Sequence, residues 1–198
     1  MTARLLLLVA GLVLFAVLHS LLAAERVRVR LAALAGPRAY RLAYNLLAIA
    51  WLSGLAVLTR GEWPVVWDAH GVVRVVLRGT QLAAGVLLVA TARSFDLGHF
   101  AGIRQLRGET QERGGMRRGG PYRLCRHPLY LATCVLFSAQ PTMDLRWLIT
   151  SAWLWIYSAA GSVIEERKLV AAFGAEYRRY QATHRRLLPF PARWRRAE

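Results

Sequence analysis

The chain has 198 residues, of which 56% are hydrophobic, and its formal net charge at pH 7 is +16. Its mean hydropathy is +0.30. The charged residues lie in blocks between long apolar runs, a pattern that is typical of multi-spanning membrane proteins and excludes an ordinary soluble domain. Because the arginines flank the apolar runs, where anionic headgroups attract them, we expect membrane lipids and not nucleic acid as partners.

Apolar runs predict five membrane-spanning helices, since an open strand would leave its backbone groups unpaired in lipid. The predicted spans are Leu5–Ala24, Leu42–Thr59, Val72–Ala92, a short fourth span Pro128–Ala139, and Leu148–Ile164. The first run is also compatible with a signal peptide, but it is long enough to cross and further spans follow it. We therefore interpret it as a retained helix of an all-α integral membrane protein.

The distribution of arginine predicts the orientation. Arginines are concentrated after the first span, in residues 93–126 and in the tail, whereas the second loop has fewer and the fourth has only Arg146. The positive-inside rule places the arginine-rich segments in the cytoplasm, with the N-terminus outside and the C-terminus inside. The sequence thus predicts a multi-pass protein of the inner (cytoplasmic) membrane.

The spans divide the chain into two predicted regions. Residues 1–92 form an N-terminal three-helix membrane region, and residues 93–198 contain a long polar loop, a two-helix hairpin and the C-terminal tail. A polar loop of this length is often functional. In the tail, Gly174–His184 is predicted as a short amphipathic helix, and Pro189 and Pro191 end regular structure.

The densest group of chemically versatile residues lies between Gly119 and Tyr130. Its glycines and Pro121 predict a turn, and Pro128 suits the first turn of a helix, where its missing N–H costs nothing. His127 and Tyr130 are three residues apart and share a helix face. We expect them to converge with Arg126 at the mouth of the fourth span, although anchoring at the membrane interface would also explain an Arg and a Tyr there.

Two consecutive carboxylates, Glu165 and Glu166, form the second group. Carboxylates at the end of an apolar run are costly unless paired or solvated, and they point by default to function. The alternative is pairing with Arg167 or Lys168. Consecutive helical residues point about 100° apart, so only one of the two is expected to face inward.

Other site classes find little support in the sequence. Cys125, His127 and His184 do not have the spacing of zinc ligands, so we expect no metal. Cys125 and Cys134 would lie roughly 13 Å apart on one helix, too far for a disulfide. There is no phosphate loop and no Gly-x-Gly-x-x-Gly motif, which argues against a soluble nucleotide-binding fold.

An ordered set of motifs resembles the isoprenylcysteine carboxyl methyltransferase superfamily. The set consists of Gly120-Pro121-Tyr122, Arg126-His127-Pro128-Leu129-Tyr130, Glu165-Glu166, the segment from Phe173 to Tyr180, and Leu188-Pro189-Phe190. This superfamily includes phospholipid methyltransferases, bacterial methanethiol S-methyltransferases and NnrU-like proteins. Further stretches resemble the methanethiol and NnrU-like branch, namely His19-Ser20, Phe95-Asp96-Leu97 and the segment from Gly102 to Gln105. Relative to methanethiol enzymes, we expect one leading span to be missing.

The resemblance implies an S-adenosylmethionine-dependent methyltransferase of the membrane. Its cofactor pocket would be formed by the last two helices, the loop before them and the tail, which makes residues 93–198 the methyltransferase core. The resemblance implies contacts to the cofactor from Met116, Arg117, Tyr122, His127, Pro128, Leu129, Tyr130 and Glu165.

The same residues suit the cofactor chemically. Tyr122 or Tyr130 can face the sulfonium, Glu165 can accept from an amine or the ribose, and Arg117 or Arg126 can hold the carboxylate. Methyl transfer needs alignment more than acid–base chemistry. Arginine charge lowers a thiol pKa from about 8.5, so a thiol acceptor needs no dedicated base. We expect Arg126 and Glu165 to act most directly in catalysis.

One departure from the superfamily bears on the acceptor. The prenylcysteine enzymes have an Arg one helical turn before the first Glu, where it grips the substrate carboxylate, and the matching residue here is Gly161. We therefore expect a small thiol or an apolar, lipid-like acceptor. The alternatives are a prenylcysteine carboxyl or phospholipid methyltransferase, or a non-catalytic NnrU-like membrane protein. A transporter is disfavoured because paired broken helices are missing.

Overall fold

A computed structural model describes residues 1–36, 38–94, 96–108 and 115–189. The helices are α1 (Thr2–Ala23), α2 (Glu25–Ala35), α3 (Tyr40–Leu58), α4 (Gly71–Ala92), α5 (Leu97–Ala101), α6 (Ile103–Leu106), α7 (Pro128–Ser138), α8 (Leu145–Phe173) and α9 (Ala175–Thr183). A 3₁₀ turn covers Gly120–Arg123, and the strands are β1 (Val65–Asp68) and β2 (Thr142–Asp144). Phe95, Phe190 and Pro191, which belong to predicted motifs or boundaries, lie outside the described residues.

The helices confirm a multi-pass, all-α membrane protein. In the described ranges, α1, α3, α4 and α8 are long and apolar enough to cross a bilayer, and α7 is a shorter apolar helix of 11 residues. These five helices correspond to the five predicted spans. Helix α8 begins before the predicted fifth span and continues beyond Ile164 to Phe173. The segment between the first two predicted spans contains the short helix α2.

Contacts divide the chain into two compact units. The first comprises the described residues of Met1–Pro64 and Phe95–Arg113, and the second those of Val65–Ser94 and Gly114–Glu198. This division differs from the predicted boundary between residues 92 and 93. The physical reason is that α4 packs extensively against α7, while α5 packs on α3.

In the first unit, α1 and α3 pack side by side and hold the α5–α6 segment. The Trp51 indole N–H donates to the Gly11 carbonyl at 3.1 Å, and Tyr44 Oη lies 2.6 Å from His19 Nε2. The Asn45 amide donates to the carbonyls of Phe100 and Ala101, at 2.9 and 3.1 Å. These bonds explain why the two branch motifs, at His19 and after residue 95, lie in the same unit.

In the second unit, α7 runs antiparallel to α4. Strand β1 precedes α4, strand β2 follows α7, and the two strands pair antiparallel, with Val65 opposite Asp144 and Asp68 opposite Thr142. The start of α4 and the end of α7 therefore lie at the same end of the unit. Helix α4 is about 33 Å long, enough for a full crossing, whereas α7 extends for only about 16 Å.

Gly102 packs closely against the backbone of α3 in the first unit and yields a test of this packing. Its φ is 93°, and a Cβ there would lie 2.5 Å from the Leu42 backbone nitrogen, which cannot move aside easily. Gly102→Ala should therefore destabilise the protein by about 2 kcal/mol or more, and lower its Tm by several degrees. Gly54→Ala in α3 is the control, since no described residue lies within 4 Å of a Cβ there. Equal melting temperatures of the two variants in detergent would contradict this packing.

Candidate active site

The segment before α7 is held in place by the C-terminal tail. Two backbone bonds join them: Arg126 N donates to the Arg185 carbonyl at 2.9 Å, and His127 N donates to the Arg186 carbonyl at 3.1 Å. Tyr180 Oη donates to the Tyr122 carbonyl at 2.5 Å. Burial raises the pKa of Tyr180, so its hydroxyl remains a donor at neutral pH.

Pro128 is the first residue of α7, as predicted, and His127 precedes it as the N-cap. The proline sets the helical backbone angle at the point where the tail lies alongside. The imidazole of His127 is buried and stacks on the Tyr130 ring, with centroids 5.4 Å apart and an interplanar angle of 6°. The predicted shared face of these two side chains is confirmed.

Glu166 is the centre of a buried polar network. The guanidinium of Arg126 donates to both of its oxygens, at 2.8 and 3.2 Å, and the Gln181 amide donates at 3.0 Å. His127 Nε2 lies 3.2 Å from Oε1, and Arg186 Nε lies 3.5 Å from Oε2. The Glu166 side chain is only 6% exposed. A carboxylate so deeply buried is stable only because several partners surround it.

Glu165 occupies a different environment from its neighbour. Its side chain is 47% exposed, accepts a hydrogen bond of 2.9 Å from Tyr130 Oη, and lies 3.6 Å from His127 Nδ1. The two carboxylates therefore point in different directions, as a helical pair must, and only Glu166 is buried. Within the described part of the chain, their partners come from other segments, and the predicted alternative of pairing with Arg167 or Lys168 is wrong.

Tyr122 and Arg117 extend the exposed side of the cluster. The Arg117 guanidinium forms a hydrogen bond with the Tyr122 hydroxyl, and the charge of Glu165 also acts on that phenol. The pKa of Tyr122 is raised, mainly because its phenol is buried. Met116, Arg117 and Leu129 are partly buried, and Pro128 is fully buried. The predicted contacts of these residues with a cofactor stay predictions.

Arg126 has a supporting position in this geometry. Besides the bonds to Glu166, its Nη1 donates to the carbonyls of Gln181 and His184 at 2.9 and 3.0 Å. Its charge is therefore paired, and its side chain is 10% exposed. The predicted catalytic role of Arg126 stays a prediction, and this geometry favours structural support over contact with a ligand.

Gly161 leaves open space beside the exposed carboxylate. It lies one helical turn before Glu165, and among the described side chains a Cβ there would come within 4.0 Å of Tyr130 Oη alone. The position at which prenylcysteine enzymes carry an Arg thus faces the Tyr130 hydroxyl.

Cysteine and histidine do not form a reactive or metal-binding cluster in the described ranges. Cys125 is fully buried, and burial raises the pKa of its thiol to about 11. The thiol is therefore protonated at neutral pH and unreactive.

Sequence reasoning missed four residues of the site, all in or after α9. Tyr177 and Tyr180 are buried, Gln181 reaches Glu166, and Arg186 approaches the same carboxylate. A signal was present for the tyrosines, because three-residue spacing predicts one buried face of α9. Gln181, four residues after Tyr177, lies on the same face, whereas no local pattern points to Arg186.

The fold and site define a multi-pass membrane protein with a polar cluster at one end of an apolar helix pair. A family profile described as NnrU protein matches residues 7–192. The chain therefore belongs to the NnrU protein family, in the methanethiol S-methyltransferase branch of the isoprenylcysteine carboxyl methyltransferase superfamily.

Three curated relatives illustrate this membership. Methanethiol S-methyltransferase 1 of Bradyrhizobium diazoefficiens is 34% identical over 93% of this chain and 65% of its own length. Methanethiol S-methyltransferase of Pseudomonas deceptionensis is 36% identical over 54% of this chain and 42% of its own length. Methanethiol S-methyltransferase of Mycobacterium tuberculosis is 32% identical over 90% of this chain and 75% of its own length. The chain thus spans less than two thirds of the first two relatives. No solved structure matches the chain significantly.

The pairing of Arg126 with Glu166 generates a stability prediction. Arg126→Gln leaves a buried carboxylate without its main counter-charge, which should cost about 3–5 kcal/mol. The expected loss in Tm is on the order of 10 °C. Arg179→Gln is the control, because Arg179 is exposed on α9. Thermal unfolding in detergent measures both variants, and similar Tm values would show that the network contributes little.

Proposed function

We propose that this protein is an S-adenosylmethionine-dependent methyltransferase that acts on a small thiol. The observation that supports it best is the half-exposed Glu165, flanked by Tyr130 and His127, at the end of a membrane-length run of α8. Relatives named methanethiol S-methyltransferase support the same reaction class. The identity of the acceptor and the use of this cofactor are part of the proposal.

The residues present fit the proposed cofactor. Its ammonium and ribose hydroxyls need acceptors, which Glu165 offers, and its carboxylate needs a cation, which Arg117 offers. Its sulfonium is compatible with the faces of Tyr122 and Tyr130. When bound, the cofactor supplies an activated methyl group. We assign its contacts to Met116, Arg117, Tyr122, His127, Leu129, Tyr130 and Glu165, with Pro128 fixing the backbone.

The chain's own contribution is alignment and exclusion of water. The stacked His127–Tyr130 pair and the Tyr130–Glu165 hydrogen bond fix one wall of the site before a ligand arrives. Such preorganisation favours an in-line displacement, which depends on alignment more than on acid–base chemistry by the protein. A thiol would lose its proton to solvent before the transfer, near Arg117, whose charge lowers a thiol pKa. We therefore assign this electrostatic role to Arg117 in preference to Arg126.

Helix length supports the proposed placement of the site. Glu165 lies twenty residues after Leu145 on α8, a rise of about 30 Å, which equals the thickness of a bilayer core. Leu145 and Glu165 thus fit opposite membrane surfaces. The arginine-rich segments favour the inner membrane, with the Glu165 surface and the C-terminus in the cytoplasm and the N-terminus outside. The cofactor would enter from the cytosol, and an apolar acceptor from the bilayer.

Cofactor binding is predicted to depend on the exposed carboxylate. Glu165→Gln and Tyr130→Phe should each weaken S-adenosylmethionine affinity by about ten- to hundredfold, the value of a charged hydrogen bond. Glu176→Gln is a matched control, since that carboxylate on α9 is also 47% exposed. Calorimetric titration of detergent-solubilised protein measures all three. Unchanged affinity in both site variants would remove this site, and no binding at all would favour a non-catalytic NnrU-like protein.

The absence of a side chain at Gly161 predicts which methyl acceptor the protein prefers. An alkanethiol should be methylated in preference to a prenylcysteine by about a hundredfold, because an unpaired carboxylate at this position costs several kcal/mol. Gly161→Arg should reduce this preference, whereas Gly161→Ala, whose Cβ fits at 4.0 Å, should keep it. Competition between the two acceptors for labelled methyl groups measures the ratio. Preferential methylation of the prenylcysteine by the unmodified protein would contradict the thiol assignment.

The orientation of the protein in the membrane can be tested by labelling an introduced cysteine, because both natural cysteines are fully buried and should not react. Val66→Cys on exposed β1 should react with an impermeant maleimide in intact spheroplasts. Arg179→Cys on exposed α9 should react only after the membrane is permeabilised. The reverse pattern would show that the positive-inside assignment is wrong and that the site faces outward.

A further inference from the structure

His127 lies between two consecutive carboxylates. Its Nε2 is 3.2 Å from Glu166 Oε1, and its Nδ1 is 3.6 Å from Glu165 Oε2. The ring is held by stacking on Tyr130 and by the backbone bond between His127 N and the tail. Each imidazole nitrogen therefore faces a different carboxylate in a fixed direction.

The surroundings of Glu166 determine which nitrogen carries the proton. Glu166 accepts hydrogen bonds from Arg126 and Gln181, so its oxygens act as acceptors. The nitrogen that faces it must then be the donor, which places the imidazole proton on Nε2. Burial lowers the pKa of His127 and outweighs the opposing effect of the two carboxylates. The ring is therefore neutral at pH 7, and Nδ1 carries a lone pair.

The lone pair of His127 Nδ1 faces the Glu165 carboxylate, so two hydrogen-bond acceptors lie opposite each other with no proton between them. Their separation of 3.6 Å is longer than a hydrogen bond. Two adjacent acceptors with one negative charge match a cationic donor that carries several N–H groups. A primary ammonium has this chemistry, whereas a ribose hydroxyl has one hydrogen and no charge.

We propose that Glu166 is a positioning residue that fixes His127 as the Nε2–H tautomer, so that His127 Nδ1 and Glu165 together receive the ammonium group of the methyl donor. This inference rests on the proposed function. It gives the two carboxylates separate roles, since Glu165 touches the ligand and Glu166 acts through His127.

The tautomer is measured first, on ligand-free protein. Nitrogen NMR of histidine-labelled protein in detergent, with His127→Gln used for assignment, should show one signal pair with a protonated Nε2 and a bare Nδ1. A purely structural Glu166 would not fix this pattern. Glu166→Gln, which offers both a donor and an acceptor, should give a mixture of tautomers. An Nδ1–H form in the unmodified protein would overturn the proposal.

The contact with the ammonium group is tested by comparing the affinities of two ligands, one with and one without the amino group. S-Adenosylhomocysteine should bind at least about tenfold more tightly than its analogue without the amino group, a difference of about 1.4 kcal/mol. Glu165→Gln and His127→Gln should abolish this preference, and Glu176→Gln should keep it. His127→Asn, whose amide oxygen can replace Nδ1 as acceptor, should restore part of it. Glu166→Gln should reduce the preference in the natural background and have little further effect in His127→Gln.

The possible outcomes distinguish a failure of the ammonium assignment from a failure of the proposed methyltransferase function. Binding of both nucleosides with equal affinity would overturn the ammonium assignment and leave the proposed methyltransferase intact. Absence of any nucleoside binding would overturn both, while the tautomer measurement still decides the role of Glu166. Circular dichroism of each variant identifies any that fails to fold, and if Glu166→Gln does not fold, the tautomer of His127 in the unmodified protein decides the proposal.

Discussion

The buried carboxylate of Glu166 is the interaction on which the rest of the site depends. A charge this deeply buried is tolerated only when donors surround it, and here they come from three segments: the end of the long loop, helix α9 and the tail after α9. Each segment supplies a hydrogen-bond partner for a buried polar group on another segment. The network therefore makes tail docking, the start of α7 and the position of His127 interdependent. Loss of any one partner exposes the remaining groups to an unfavourable environment.

This arrangement leaves the neighbouring carboxylate available for chemistry. Because consecutive helical residues diverge by about 100°, fixing Glu166 inward turns Glu165 toward Tyr130 and the exposed side of the cluster. The short helix α7 contributes His127 and Tyr130 from its first turn, at the same level along α8. The open space at Gly161 then lies beside Glu165, where the proposed small, uncharged acceptor would bind.

Local patterns predicted the five apolar helices and the tail helix α9, but not the short helices α2, α5 and α6, the two strands or the long-range network. Apolar runs sufficed for five helices, and Pro128 with the three-residue spacing of His127 and Tyr130 predicted the start of α7 and its shared face. The partners of Glu166 lie about 40 residues before it and 15 to 20 after it, and no sequence spacing encodes such contacts. For the same reason Arg126 was predicted as catalytic, although its charge pairs with Glu166. The two-unit division also depends on packing between α4 and α7, which hydropathy alone does not reveal.

The central claim is that this membrane fold transfers a methyl group at Glu165. The most direct measurement is the incorporation of labelled methyl from S-adenosylmethionine into an alkanethiol by purified, detergent-solubilised protein. The account predicts a labelled sulfide as product, strongly reduced formation with Glu165→Gln, and undiminished formation with Glu176→Gln. A folded protein that forms no methylated product from thiols, prenylcysteines or phospholipids would contradict the account and leave a non-catalytic membrane protein in its place.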